Sequence, residues 1–140
     1  MTKILVIEDE LPIRSKIETI LEYEGYDVLG AGDGVEGVKL AQAENPDLVI
    51  CDVLMPEMNG YGALSALRSN ANTAAIPVIF LTAAASRADM RKGMELGADD
   101  YITKPYTVDE LLTAVRTRLL RRDTIRRAKF DDVSSSPVTA

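Results

Sequence analysis

An α/β domain built on a five-stranded parallel sheet with helices on both faces is what this sequence predicts, on three observations. Five short apolar runs alternate with segments whose apolar residues recur at helical spacing. The clearest of these runs, Ile4 to Ile7 and Leu48 to Ile50, are apolar throughout rather than alternating, as in strands covered on both faces. The length, 140 residues, suits one domain whose core needs no covalent staples.

The first strand, Ile4 to Ile7, stops at Glu8-Asp9-Glu10. Pro12 is tolerated at a helix start, and Ile13, Ile17, Ile20 and Leu21 follow at helical spacing up to Gly25, which ends the helix. A short strand around Val28 and Leu29 gives way to the glycine-rich Gly30 to Gly34. A helix from Val35 to Glu44 is closed by Asn45-Pro46. The third strand, Leu48 to Asp52, ends in an acid and runs into the loop Met55-Pro56-Glu57-Met58-Asn59-Gly60. A helix from Tyr61 to Arg68 carries Leu64 and Leu67 inward, and the strand Val78 to Leu81 then ends at Thr82. Ser86 caps a helix that reaches Leu96 and stops at Gly97. The fifth strand, Tyr101 to Thr103, ends in Lys104-Pro105, and a last helix begins near Val108 with Leu111, Leu112, Val115 and Leu119 as its apolar stripe. Beyond Leu120 basic residues dominate, which reads as a solvated continuation of that helix rather than a nucleic-acid contact. Ser134 to Ala140 has the composition of a disordered end or the start of a linker.

Charge is uneven along the chain. Residues 1 to 110 carry nine basic and nineteen acidic side chains, residues 111 to 140 seven and three. An acidic body argues against broad nucleic-acid binding, which needs a concentrated positive surface. Cys51 is the only cysteine, so no internal disulfide or cysteine-based zinc site is available, and as a neighbour of Asp52 on one strand it faces the other way as a buried thiol. There is no histidine, which removes the commonest general base and means that the chain cannot itself carry a phosphohistidine. The first apolar run is too short for a signal peptide or a membrane span, from which we expect a cytoplasmic protein.

In open α/β sheets ligands sit beyond the carboxyl ends of the strands. Those ends deliver Glu8 and Asp9, then Asp52, Thr82 and Lys104. Each is an ordinary turn residue when taken singly. If the strand order is 2-1-3-4-5, the three acids meet at the switch point between strands one and three. Three carboxylates raise one another's pKa values unless a cation joins them. Hard oxygen donors without histidine or thiolate select magnesium or calcium, and a site shared with phosphate suits Mg2+. Lys104 then supplies a positive charge for a phosphate oxygen and Thr82 a hydroxyl, while Asp52 can serve as an in-line carboxylate nucleophile.

The matching text is ILVIEDE at 4 to 10, DVLMPEMNG at 52 to 60, VIFLTA at 78 to 83 and GADDYITKP at 97 to 105. In this order and spacing, residues 3 to about 120 resemble the receiver domain of bacterial two-component response regulators, a flavodoxin-like fold with sheet order 2-1-3-4-5. The resemblance implies that Asp52 accepts a phosphoryl group from a phosphohistidine on a sensor histidine kinase or a histidine phosphotransfer protein. It implies that Asp9 binds Mg2+ directly, Glu8 largely through water, and that Asp52 and the Leu54 carbonyl complete the protein ligands. Thr82 and Lys104 would bind phosphoryl oxygens, with a cis peptide at Lys104-Pro105. Thr82 and Tyr101 would form the switch, and the altered face would be helix 4, strand 5 and helix 5, a possible homodimer surface. Tyr101 also reads as a half-buried strand aromatic with its hydroxyl in water. Leu54 and Ala84, two residues after Asp52 and Thr82, lack polar side chains, so dephosphorylation would be governed by shielding. These expectations divide the chain into a receiver domain over 1–122 and a basic helical extension with a flexible tail or linker over 123–140. The extension favours the front part of a longer regulator over a stand-alone receiver.

Three other readings are weaker. Gly32, Gly34 and Gly37 match a dinucleotide fingerprint, but they follow the second strand and put Asp33 where a pyrophosphate would lie. A phosphatase of the haloacid dehalogenase type wants a second acid where this chain has Leu54. A pseudo-receiver acting only as a binding module is disfavoured by the intact acids, Thr82 and Lys104.

Overall fold

The computed structural model describes residues 1–55, 58–83 and 87–135, the side chains of 87–90 and 124–135 excepted. Five strands and five helices alternate along them: β1 (Lys3–Ile7), α1 (Leu11–Tyr23), β2 (Asp27–Ala31), α2 (Gly34–Glu44), β3 (Leu48–Asp52), α3 (Gly60–Ser69), β4 (Val78–Thr82), α4 (Arg87–Glu95), β5 (Asp100–Thr103) and α5 (Val108–Ser135). All strand pairs are parallel, in the order β2-β1-β3-β4-β5. The fold class and strand order are those expected from the sequence.

Side chains of a strand alternate between faces, so each central strand feeds two cores. Leu5, Ile7, Val49, Cys51 and Phe80 pack on one face with Ala41 of α2 and Ala63, Leu64 and Leu67 of α3. Ile4, Val6, Leu48, Ile50, Ile79 and Leu81 pack on the other with Ile17 and Leu21 of α1 and Leu111, Leu112, Val115 and Leu119 of α5. β3 and β4 are buried at every position, which is why they carry no alternation.

Local chemistry sets the ends of the helices. Asp33 caps α2 by accepting from the Glu36 N–H at 2.8 Å, while Glu36 accepts from the Gly32 N–H at 3.2 Å. Asn59 accepts from the Gly62 N–H at 2.9 Å and starts α3. Thr107 and Glu110 make the same reciprocal pair at the start of α5, at 3.1 and 3.2 Å. The expected Ser86 cap of α4 lies outside the described residues.

Two details differ from expectation. β2 runs from Asp27 to Ala31, longer than the pair Val28 and Leu29, because backbone pairing with Lys3 to Ile7 continues through Gly30 whatever its side chain. The Gly32, Gly34, Gly37 pattern has a packing origin. A Cβ on Gly34 would meet the Met58 carbonyl oxygen at 2.7 Å, and one on Gly37 would collide with Ile7 of β1. Gly34 and Gly37 let α2 sit close on the sheet and on the loop after β3.

Past Leu119 the helix α5 continues unbroken to Ser135. Arg122 holds this continuation against the body: its Nη1 donates to the Asp47 carboxylate at 2.7 Å and to the Asp47 carbonyl at 3.2 Å. The basic side chains beyond 123 and the tail over 136–140 lie outside the described residues.

Candidate functional site

Because all five strands point the same way, their carboxyl ends share one edge of the sheet. β1 and β3 are direct neighbours there, with Ile7 paired to Cys51, so the residues that follow are set side by side. One carboxylate oxygen from each of Glu8, Asp9 and Asp52 lies within 4.8 Å of the others. Glu8 and Asp52 are buried, and Asp9 is exposed.

Several bonds fix these carboxylates. The Glu8 backbone is held from both sides, its N–H donating to Ala31 O at 3.0 Å and its carbonyl accepting from Arg14 Nη1 at 2.8 Å. Its carboxylate accepts from the Glu10 N–H at 3.3 Å. Asp52 Oδ1 accepts from the Leu54 N–H at 3.2 Å, and Lys104 Nζ stands 3.6 Å from Asp52 Oδ2. Thr82 is fully buried at the end of β4. Its carbonyl accepts from the Lys104 N–H at 2.9 Å, so the hydroxyl-bearing and ammonium-bearing residues hang on one rung of the sheet. The Lys104–Pro105 peptide is cis.

The electrostatics of the site are out of balance. Burial above all, then a hydrogen bond and the charge of Asp52, push the Glu8 carboxyl up to about 8, against which Lys104 acts only in part. Tyr106, directly after the cis proline, is raised by burial first and then by Glu8 and Asp52. Cys51 turns away into the core, where burial drives its thiol far upward, so it is an inert packing group. An all-oxygen donor set with three acids against one lysine fits a hard divalent cation, which would supply the missing positive charge.

Tyr101 of β5 is buried, and its hydroxyl lies 3.4 Å from that of Tyr61 at the start of α3. The alternative of a hydroxyl standing in water therefore does not hold, because Tyr61 provides a polar partner inside the protein. Leu54 is 62% exposed beside the site, whereas Ala84 lies outside the described residues.

Sequence reasoning missed Arg14, Tyr61 and Tyr106. Tyr61 acts through a contact with Tyr101 forty positions away, and Arg14 reaches back from α1 to the Glu8 carbonyl, a turn that no periodicity announces. Tyr106 could have been found, since it adjoins the Lys104-Pro105 pair.

Comparison with known proteins gives a consistent picture. The family model described as "Response regulator receiver domain" matches residues 4–116. A probable transcriptional regulator of Cyanophora paradoxa is 48% identical over 120 residues, covering 86% of this chain and 48% of that protein. A DNA-binding dual master transcriptional regulator of Synechocystis sp. is 42% identical over 141 residues, covering 99% of this chain and 58% of that protein. The chain thus spans about half the length of the curated relatives it matches. The receiver domain of a sensor histidine kinase from Pseudomonas aeruginosa, solved with a magnesium ion coordinated in its active-site cleft, superimposes with a TM-score of 0.78 at 30% identity over 84% of this chain and 97% of that one.

Proposed function

This chain belongs to the response regulator receiver family, and from that premise we propose that Asp52 is its phosphoacceptor. An Asp52 oxygen attacks the phosphorus of a phosphohistidine on a sensor histidine kinase or histidine phosphotransfer protein. The P–N bond breaks, its electron pair stays on the partner's imidazole, and an acyl phosphate forms on Asp52. The ammonium of Lys104 and the hydroxyl of Thr82 hold phosphoryl oxygens. Glu8, Asp9, Asp52 and the Leu54 carbonyl would hold Mg2+, which when bound neutralises the carboxylates and the incoming phosphoryl oxygens. The domain signals rather than turning over a substrate.

The observation that carries this reading is the placement of Asp52, with Lys104 Nζ at 3.6 Å on one side and oxygens of Glu8 and Asp9 within 4.8 Å on the other. The magnesium ion coordinated in the active-site cleft of the related kinase receiver supports a magnesium site here. Thr82 and Tyr101 act as the switch, which alters the face of α4, β5 and α5, a surface open to homodimer formation. Leu54 and Ala84, being apolar, leave hydrolysis of the acyl phosphate to be limited by shielding. Residues 1–122 form the receiver, and 123–140 are a basic linker toward an output module, in keeping with a longer DNA-binding relative of which this chain covers 58%. Direct nucleic-acid contact is not assigned to this chain. We place it in the cytoplasm; no helix among the described residues is long and apolar enough to cross a membrane.

Incubation with a small-molecule phosphodonor and Mg2+ tests the proposal. The native chain is expected to gain the mass of one phosphoryl group, and Asp52→Asn none. A native chain that stays unmodified, or a variant that labels equally, overturns it.

A further inference from the structure

Four elements, α3, β4, α4 and β5, meet around two tyrosines on the core face that α3 and α4 share. Tyr61, the second residue of α3, is buried with its hydroxyl 3.4 Å from that of Tyr101. Its ring meets Phe80 of β4 edge-on, with centroids 5.5 Å apart and planes at 85°. Phe80 meets Tyr101 in the same manner at 5.9 Å and 73°. Lys92 of α4 places Nζ 5.0 Å from the centre of the Tyr61 ring, and a Cβ on Gly93 would touch the rings of both Phe80 and Tyr101 at 3.3 Å. The start of α3 is in turn seated on the acceptor strand. The Gly60 N–H donates to Val53 O at 2.9 Å, and a Cβ on Gly60 would meet Asp52 O at 2.5 Å.

We propose that Tyr61 is a positioning residue for Tyr101: its hydroxyl keeps the β5 tyrosine inside, and its ring face links the peptide after Asp52 to α4. Tyr101 has interactions besides this one, so losing the Tyr61 hydroxyl weakens the preference for the inward arrangement without leaving the phenol bare. At 3.4 Å the contact is longer than an ordinary hydroxyl hydrogen bond, whose loss would change the inward-to-outward ratio about fivefold, so fivefold is the upper bound here. The Lys92 ammonium over the ring adds a contact between α3 and α4 that depends on the same side chain. The signalling part of this inference rests on the phosphoacceptor reading; the positioning part does not.

The two are separated by experiment on the full chain labelled with 13Cζ-tyrosine, whose five tyrosines give five resonances. In the unphosphorylated protein, Tyr61→Phe, which removes one oxygen and keeps the ring, is expected to move the Tyr101 resonance and lower its inward-to-outward ratio by up to about fivefold. Tyr23, Tyr26 and Tyr106 are expected to stay in place. An unmoved Tyr101 resonance overturns the positioning role, whatever the phosphorylation result. Adding phosphodonor and Mg2+ to native and Tyr61→Phe chains then reads the signalling part. A Tyr101 response that differs between them supports it, and identical responses overturn it. A native chain that takes no phosphoryl group defeats the phosphoacceptor reading while leaving the first result standing. Tyr61→Leu, which also removes the ring, is expected to broaden the Lys92 Nζ environment; a Lys92 signal identical to native overturns the α4 link.

Discussion

The two edges of the sheet treat charge in opposite ways. At the amino edge the acids are closely paired: Asp47 takes the Lys3 N–H at 2.8 Å and Arg122 at 2.7 Å, and Asp99 takes the Val78 N–H at 2.8 Å and Arg68 at 3.2 Å. Arg68 donates further to the carbonyls of Ala74, Ile76 and Gly97. At the carboxyl edge three acids crowd one lysine, and Glu8 keeps its proton to about pH 8. The difference teaches that charge is spent on cohesion at one end and left in conflict at the other, the end where the proposed phosphoacceptor sits.

The sharpest way to break this contrast is Asp52→Asn. It is expected to abolish phosphoryl labelling by intact mass and yet to raise the melting temperature in the absence of divalent cations, because one of the opposing charges is gone. A variant that melts lower would mean that the acids are not in conflict. Next, Arg68→Ala is expected to cost about 3 kcal/mol in urea unfolding, since four acceptors lose a charged donor together. Labelling of the folded fraction at Asp52 should persist.

A smaller effect concerns pH. Glu8 in the folded chain holds a proton up to about pH 8 that the unfolded chain releases near its ordinary value of 4.5. Its contribution to stability is therefore present below that lower value and is lost as the pH rises through the higher one. A cation must displace this proton, so Mg2+ affinity is expected to rise up to about tenfold per pH unit below pH 8, measured by titration calorimetry. Glu8→Gln should flatten that slope; an unchanged slope would assign the proton to another group. The smallest effect is expected at the outgoing helix, where Arg122→Ala should cost about 1 kcal/mol and loosen amide exchange in α5 after Leu119 while leaving the site untouched.

Much of this contrast could be read from the chain beforehand, and for a simple reason. Glu8, Asp9, Asp52, Thr82 and Lys104 each stand at or just past the end of a strand-like run, so strand direction alone gathers them. Glycines were harder, because Gly34 and Gly37 answer to Met58 and Ile7, which no local pattern announces. The edge strand β2 was underestimated since its backbone pairs through residues with no apolar signature. Arg68 and Arg122 looked like ordinary surface charges, for the contacts that tie them to the body, with Gly97, Asp99 and Asp47, reach across distant segments of the chain. The Tyr61–Tyr101 meeting spans forty positions and depends on how α3 is seated, which periodicity cannot convey.

The rung from the Lys104 N–H to Thr82 O makes the sheet a gauge. The spacing between hydroxyl and ammonium is set by strand alignment and not by the reach of flexible side chains. Sliding β5 by a single residue would carry Tyr101 out of the interior and swap Lys104 for Thr103 or Pro105 in the same stroke. The spacing of hydroxyl and ammonium and the seating of the aromatic are thus one alignment, and neither can be mistuned without spoiling the other.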